Sequence, residues 1–326
     1  MKRKNKAIVT FLILVLGLLS GYFWYSAKKT IETQEVNLVQ EVNNLQVGEL
    51  AQEGESENIS ENKTDSVISN QDEQKPVVED EPLIDFFSEN GTFEETGEMS
   101  SSKMKCWWLN SVAYFYLEDS VGRTIQGELP KDEKWQIDYK NYSANETDDG
   151  FHPQNIFRLI TKSVWKNFTQ ECYFKINRYI LSTDSHRAAS NGLLLFNRYQ
   201  DGDNLYYTGI RVDGTVVVKK KFKGAYFTMA QATLYSGKYD RKSNPNLLPI
   251  DTWIGLRSEV RDNPNGTVSI KVYRDKDWSG DWQLVLTATD DGKKYGGAAI
   301  KSEGYAGIRT DFMDVEFDDY KIEELK

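Results

Sequence analysis

Between Asn191 and Lys221 the chain alternates strand-like runs with hairpin turns: NGLLLFNRYQ, DGDN, LYYTGIRV, DG, TVVVKKK. An Asp213-Gly214 pair between β-branched and aromatic runs is a strong hairpin signal, because a type I′ turn needs positive φ at both central residues. The segment therefore reads as an antiparallel meander. With Asp213-Gly214 as a two-residue turn, Val212 faces Thr215 and Tyr207 faces Lys220. A four-residue loop from Asp201 to Asn204 then places Arg198 opposite Tyr207 as well. That register gives an Arg-Tyr-Lys row across three strands, with Arg211 near it, on a surface suited to a long polar ligand.

The same patterning continues to the end of the chain. Trp253 to Arg261 (WIGLRSEVR) alternates with period two, placing Trp253, Gly255, Arg257, Glu259 and Arg261 on one face. DNPNG makes a turn, TVSIKVYRD returns, and QLVLTAT, YAGIRTDF and MDVEFDDYKIEEL follow. Helical periodicity is scarce, and no Pro/Ser/Gly linker interrupts residues 83–326. The expectation is one all-β domain over that range, a two-sheet antiparallel jelly-roll sandwich. Cys106 and Cys172 both fall in strand-like segments and can bridge or stay as buried thiols.

The N-terminal quarter is different. Lys2, Arg3, Lys4 and Lys6 precede an uncharged run from Ala7 to Ala27, closed by Lys28 and Lys29. About twenty apolar residues span a ~30 Å hydrocarbon core, and the positive-inside bias sends everything beyond Lys29 outward. Residues 1–29 are thus expected to be a cytoplasmic tip and transmembrane signal anchor, a single pass that leaves the C-terminal domain extracytoplasmic. The competing reading is a cleaved signal peptide, for which Tyr25-Ser26-Ala27 is a poor cleavage match. Residues 30–82 are rich in Glu, Asn, Gln and Ser and read as a disordered acidic linker, too poor in apolar residues to fold. Residues 31–100 hold 2 Lys and Arg against 19 Asp and Glu, so the net charge of −10 belongs to the linker and is silent about the domain's ligand.

The closing run Gly304-Tyr305-Ala306-Gly307-Ile308-Arg309, with Val315-Glu316-Phe317-Asp318-Asp319-Tyr320-Lys321-Ile322, resembles the last strands of concanavalin A-like lectin/glucanase (laminin G-like) jelly rolls. The resemblance covers roughly the last 140 residues. It implies a jelly roll and, because glucanase-type members often hold a structural Ca2+ through an Asp just before an aromatic on the final strand, makes Asp319 the candidate metal ligand. Superfamily membership leaves function open among lectins, carbohydrate-binding modules, glycosidases and lyases.

The residues narrow that choice. No E-x-D-x-x-E string supplies the paired carboxylates of a retaining glycosidase, which disfavours hydrolysis. Arg257-Ser258-Glu259-Val260-Arg261 resembles the R-[ST]-E-[LV]-R strand of alginate-lyase-type polysaccharide lyases. In uronate β-elimination, Arg257 or Arg261 would neutralise the carboxylate and His152 or a Tyr would move protons. Against it, no Q-[IV]-H string is present, and alternating Arg and Glu is also an ordinary cross-strand charge ladder. Residues 151–223 hold 12 Lys and Arg against 5 Asp and Glu. Aromatics that stack on sugar rings, beside Arg forks that engage carboxylates, point to a polysaccharide, an acidic one included. Candidate contacts are Arg198, Tyr207, Arg211 and Lys220, with Trp278 and Trp282 in the loop-like DKDWSGDW. That loop also has the D-x-D-x-S-G opening of a calcium site, but Leu286 stands where the bidentate Glu is needed. Two histidines exclude a His-rich zinc site, and an extracytoplasmic address argues against nucleic acid.

Overall fold

The computed structural model describes residues 83–84, 87, 90–111 and 114–326. The anchor and the linker expected over residues 1–82 lie outside the described residues. Contacts divide the chain into Met1–Pro76 and Val77–Lys326, and all described residues fall in the second unit. Among the described residues no helix is long and apolar enough to cross a membrane.

Strands are numbered in chain order. One antiparallel sheet runs, in spatial order, β14 (Gln283–Asp290), β13 (Val268–Lys276), β12 (Trp253–Asp262), β7 (Phe168–Tyr179), β16 (Met313–Glu324), β5 (Val121–Arg123), β4 (Tyr114–Glu118) and β2 (Gly91–Glu94). β1 (Leu83–Ile84) pairs with β16 and completes nine strands. The other runs β11 (Ala225–Thr233), β10 (Thr215–Phe222), β9 (Asn204–Arg211), β8 (Gly192–Asp201), β15 (Gly304–Thr310), β6 (Phe157–Trp165) and β3 (Trp107–Leu109). The described residues are mostly β and form the expected sandwich of two antiparallel sheets. A helix at Lys134–Ser143, capped by Glu133 accepting from the Trp135 N–H, was not legible in the sequence. Its buried face holds a polar residue, Gln136, which donates to the Asp149 carbonyl, so the apolar periodicity that announces a helix is missing.

Apolar side chains from both sheets fill the space between them. Phe157 stacks on Phe317 at 5.3 Å and Trp107 meets Tyr320 edge-on at 4.7 Å. Within this core Gln170 donates to the Asn197 side chain at 2.9 Å and to the Phe196 carbonyl, while Ser258 donates to Asn197 and Tyr320 to Gln170. These four buried side chains tie β7, β12 and β16 of one sheet to β8 of the other. Gln170→Leu keeps the volume but removes the hydrogen bonds to the Tyr320 hydroxyl, the Asn197 side chain and the Phe196 carbonyl. It is expected to cost about 1–3 kcal/mol in urea unfolding, with the slope m unchanged. Cys172 is a buried free thiol whose pKa burial pushes well up.

The meander forms where the sequence placed it, but its register differs. Val216 pairs with Ile210, which sets Thr215 opposite Arg211 and leaves three residues, not two, in the hairpin loop. Gly214 takes φ +79° and its N–H bonds the Arg211 carbonyl, the geometry of a type I turn closed by a left-handed residue. One extra loop residue shifts the pairing by one, so Tyr207 faces Lys219 and Lys220 faces Tyr206.

Candidate functional site

A pleated strand sends alternate side chains to opposite faces, so the register decides what the outer face of the seven-stranded sheet carries. One row across β6, β15, β8, β9 and β10 reads Arg158, Arg309, Leu194, Gly209, Val217. The next reads Ile160, Gly307, Phe196, Tyr207, Lys219. Tyr305 and Tyr199 follow on β15 and β8, and Leu205, Lys221 and Tyr226 on β9, β10 and β11. Leu194, Phe196, Tyr199, Leu205 and Tyr207 form an apolar cluster separate from the main core. Over it lies a depression of about 310 Å3, walled by Arg158, Arg309, Lys219, Lys221 and Tyr226 and rimmed by Glu146, His186, Asn191 and Asp311. The loop at the rim is pinned by buried Arg187, which donates to the Ser182 and Arg241 carbonyls.

Positive charge is crowded here. Arg158 and Arg309 are direct cross-strand neighbours, and like charges so placed repel. Arg309 has Asp311 at 2.8 Å; burial opposes its charge, but Asp311 outweighs that and raises its pKa. Arg158 has no ion pair among the described residues, and its buried Nε has no hydrogen-bond partner. Burial and the neighbouring Arg309 charge lower its pKa. Lys219 is likewise lowered, by burial and then by Arg211. Tyr226 is 54% exposed, with the Lys221 ammonium 5.0 Å from its ring centre. The arrangement is an aromatic floor and wall with cations whose charge the protein only partly neutralises.

The residues singled out from the sequence are dispersed by the fold. Tyr207 lies in the depression, and burial raises its pKa. Arg211 sits at the strand end, its guanidinium 2.7 Å from Asp213. Arg198 and Lys220, expected on the ligand face, are instead fully buried. Arg198 occupies a bulge in β8 at φ +49°, where it pairs with Asp262 at 2.8 Å and donates to the Lys166 and Ile300 carbonyls. Lys220 points into the sandwich onto Asp290 at 2.8 Å and onto the Gly297 and Ala298 carbonyls. Both are structural ties, placed inward by the bulge and by the one-residue register shift.

Trp278 and Trp282 lie in the β13–β14 connection of the other sheet, apart from Tyr207 and Arg211 on β9. Trp278 stacks on Tyr173 at 4.4 Å and meets Trp253 edge-on at 4.8 Å. The Asp275 carboxylate accepts from Tyr173 at 2.5 Å, from the Ser279 N–H and hydroxyl, and from the Gly280 N–H. These bonds hold its pKa down although burial pushes it up. The D-x-D-x-S-G string therefore works as a turn clamp.

The residues considered for elimination chemistry are not assembled. Arg257 is held by Glu171 at 2.5 Å, Arg261 donates to the Lys326 carbonyl, and His152 lies between Asp148 and Glu128, with no partner in common. Asp319 sits at a β16 bulge, φ +47°, its N–H donating to Asp318. Burial pushes the Asp318 pKa up. Among the described residues no group of three or more His, Cys, Asp or Glu side chains could hold a metal ion, and Ca2+ takes six to eight oxygens. A Ca2+ at Asp319 would therefore take most of its oxygens from backbone carbonyls.

Arg158, Lys219, Lys221, Tyr199 and Tyr226 were not singled out from the sequence, and Arg309 was noted only as part of the closing run. The parity of KKK against LYYTG holds the signal for Lys219 and Lys221, but it is readable only once the loop length is known. Arg158 and Arg309 lie 151 positions apart in the chain and meet only through strand pairing.

No family model matches the chain, and no curated protein sequence matches it. Similar solved structures include a carbohydrate-binding module, CBM66, from Bacillus subtilis, 14% identical with TM-score 0.40, covering 67% of this chain and 95% of that one. The exoplasmic/lumenal domain of VIP36 in its Ca2+-bound form is 13% identical with TM-score 0.41, over 75% of this chain and 90% of that one. A β-glucanase from Bacillus licheniformis is 11% identical with TM-score 0.41, over 75% and 98%. The two-sheet architecture rests on the strand pairing above.

Proposed function

We propose that this chain is a membrane-anchored, extracytoplasmic carbohydrate-binding protein whose jelly roll takes an acidic polysaccharide on the outer face of its seven-stranded sheet. The observation that carries the binding reading is the Arg158–Arg309 pair, two cross-strand neighbours of which only Arg309 is ion-paired among the described residues, to Asp311. An arriving carboxylate or sulfate relieves their repulsion and pairs with the Arg158 guanidinium, which has no ion pair among the described residues. Tyr226 offers a ring for a sugar to stack on, and Lys219 and Lys221 extend the cationic wall. Support for the anchor is the uncharged run Ala7 to Ala27, and the acidic linker would hold the domain clear of the lipid.

The test is affinity electrophoresis of the full chain in detergent, through gels containing alginate, polygalacturonate or a sulfated glycan. Retardation by at least one of these, relieved by ~0.5 M salt, is expected because exposed charges are screened over a few ångströms at that ionic strength. Unretarded migration in every acidic gel sinks the proposal.

A lyase reading draws on the same depression, because His186, Tyr199 and Tyr207 line it with the two arginines. A base would take the C5 proton, the C4–O bond would break as C4=C5 forms, and the leaving oxygen would gain a proton. Incubation with uronate polymers that yields no unsaturated product by ultraviolet absorbance removes this reading and leaves binding.

A further inference from the structure

A second aromatic surface lies on the other side of the sandwich. On the outer face of β12, Trp253, Gly255 and Arg257 follow one another at period two. A Cβ at Gly255 would come within 3.0 Å of Tyr173, Asp275 and Trp282 atoms, so the missing side chain leaves room for the rings to close over the strand. Tyr173 backs Trp278 almost parallel, at 7°, while Trp253 buttresses its edge and Trp282 lies beside Tyr173 at 5.6 Å. Trp278 remains 36% exposed. It is presented by a costly backbone: Asp277 and Trp278 both sit in the left-handed region, φ +60° and +56°, where an L-residue loses roughly 1–2 kcal/mol. The Asp275 clamp holds that turn in place. A tight turn alone would be served better by glycine, so the strain is spent on showing an indole.

Charge distinguishes this surface from the depression. Lys175 lies 5.0 Å from the Trp253 ring and Arg257 4.2 Å from the Trp282 ring, but Glu316 and Glu171 each stand 2.5 Å from them. Lys175 and Arg257 are both ion-paired, to Glu316 and Glu171 that Arg123 and Lys321 also approach, whereas Arg158 on the opposite sheet has no ion pair among the described residues. We propose that Trp278, backed by Tyr173 and flanked by Trp253 and Trp282, is a second glycan subsite that stacks on a neutral sugar ring. It is independent of the acidic site, and together the two let one domain hold glycan on both faces. A polymer with acidic and neutral segments, or two separate chains, can then be bridged by a single molecule.

The experiment is affinity electrophoresis of the full chain in gels containing mixed-linkage β-glucan, glucomannan, arabinoxylan or galactomannan. Wild type is expected to be retarded by at least one, with little effect of ~0.5 M salt, since no net charge is engaged. Trp278→Ala should abolish that retardation and leave migration in the acidic gels unchanged, while Trp278→Phe, which keeps a ring, should retain most of it. Wild type running freely through every neutral gel overturns the proposal, as does retardation of Trp278→Ala equal to wild type. Loss of migration shifts in acidic gels alone would sink the first site and leave this one standing.

Discussion

Arg158→Gln is expected to weaken binding of an acidic polysaccharide by roughly 10- to 100-fold, the loss of one charge-assisted hydrogen-bonding group at about 1.5–3 kcal/mol. The same change should leave the melting temperature equal to or slightly above wild type. In the unliganded protein Arg158 forms no ion pair among the described residues, its Nε is buried without an acceptor, and it stands against Arg309. Removing it takes away repulsion and an unmet donor, not a tie. Arg309→Gln behaves differently, because it strands the buried Asp311 carboxylate and should lower stability along with affinity. Isothermal titration with the retained glycan and thermal unfolding of both variants check the contrast. An Arg158→Gln protein that binds as wild type, or that melts several degrees lower, would show that Arg158 serves the fold and not a ligand.

Lys220→Met should be the most damaging single change considered. Lys220 and Asp290 are both fully buried, 2.8 Å apart, and the ammonium also serves the Gly297 and Ala298 carbonyls. Asp290 meanwhile accepts from Tyr206 at 2.6 Å and from the Gly292 N–H. Removing one partner of such a pair leaves an uncompensated charge in the interior, at about 3–5 kcal/mol, or a melting temperature lower by roughly 10 °C in a domain of this size. Adding Asp290→Asn to Lys220→Met should recover at least half of that loss, because the cost lies in the stranded charge. A surface role for Lys220 would instead give a change within ~0.5 kcal/mol.

How far the site was legible turns on a single residue of loop length. DG between two strand runs correctly announced a hairpin, but Asp213-Gly214 can close it as a two-residue or a three-residue loop. The chain adopts the second, with Gly214 alone at positive φ. Side chains alternate with period two, so that difference exchanges Lys220 for Lys219 and Lys221 on the outer face. Arg198 escaped for a related reason: a bulge in β8 turns it inward, and bulges have no fixed sequence mark. By contrast, the alternation of Trp253, Gly255 and Arg257 was read correctly, since β12 is regular and bounded by clear turns.

What the amino-acid order determined alone was local: strand after strand, turns at Gly, Asn and Asp, an uncharged N-terminal run, and a stretch rich in acidic residues. Those properties depend on neighbours a few positions apart. Tertiary structure decided which cations meet. Arg158 and Arg309 are brought side by side by β6 and β15, Arg198 and Lys220 are drawn inside to Asp262 and Asp290, and Trp278 is carried to the opposite sheet from Tyr207. Such encounters between distant segments are set by pairing register and by the need to satisfy buried charge, and neither is written in any short window of sequence.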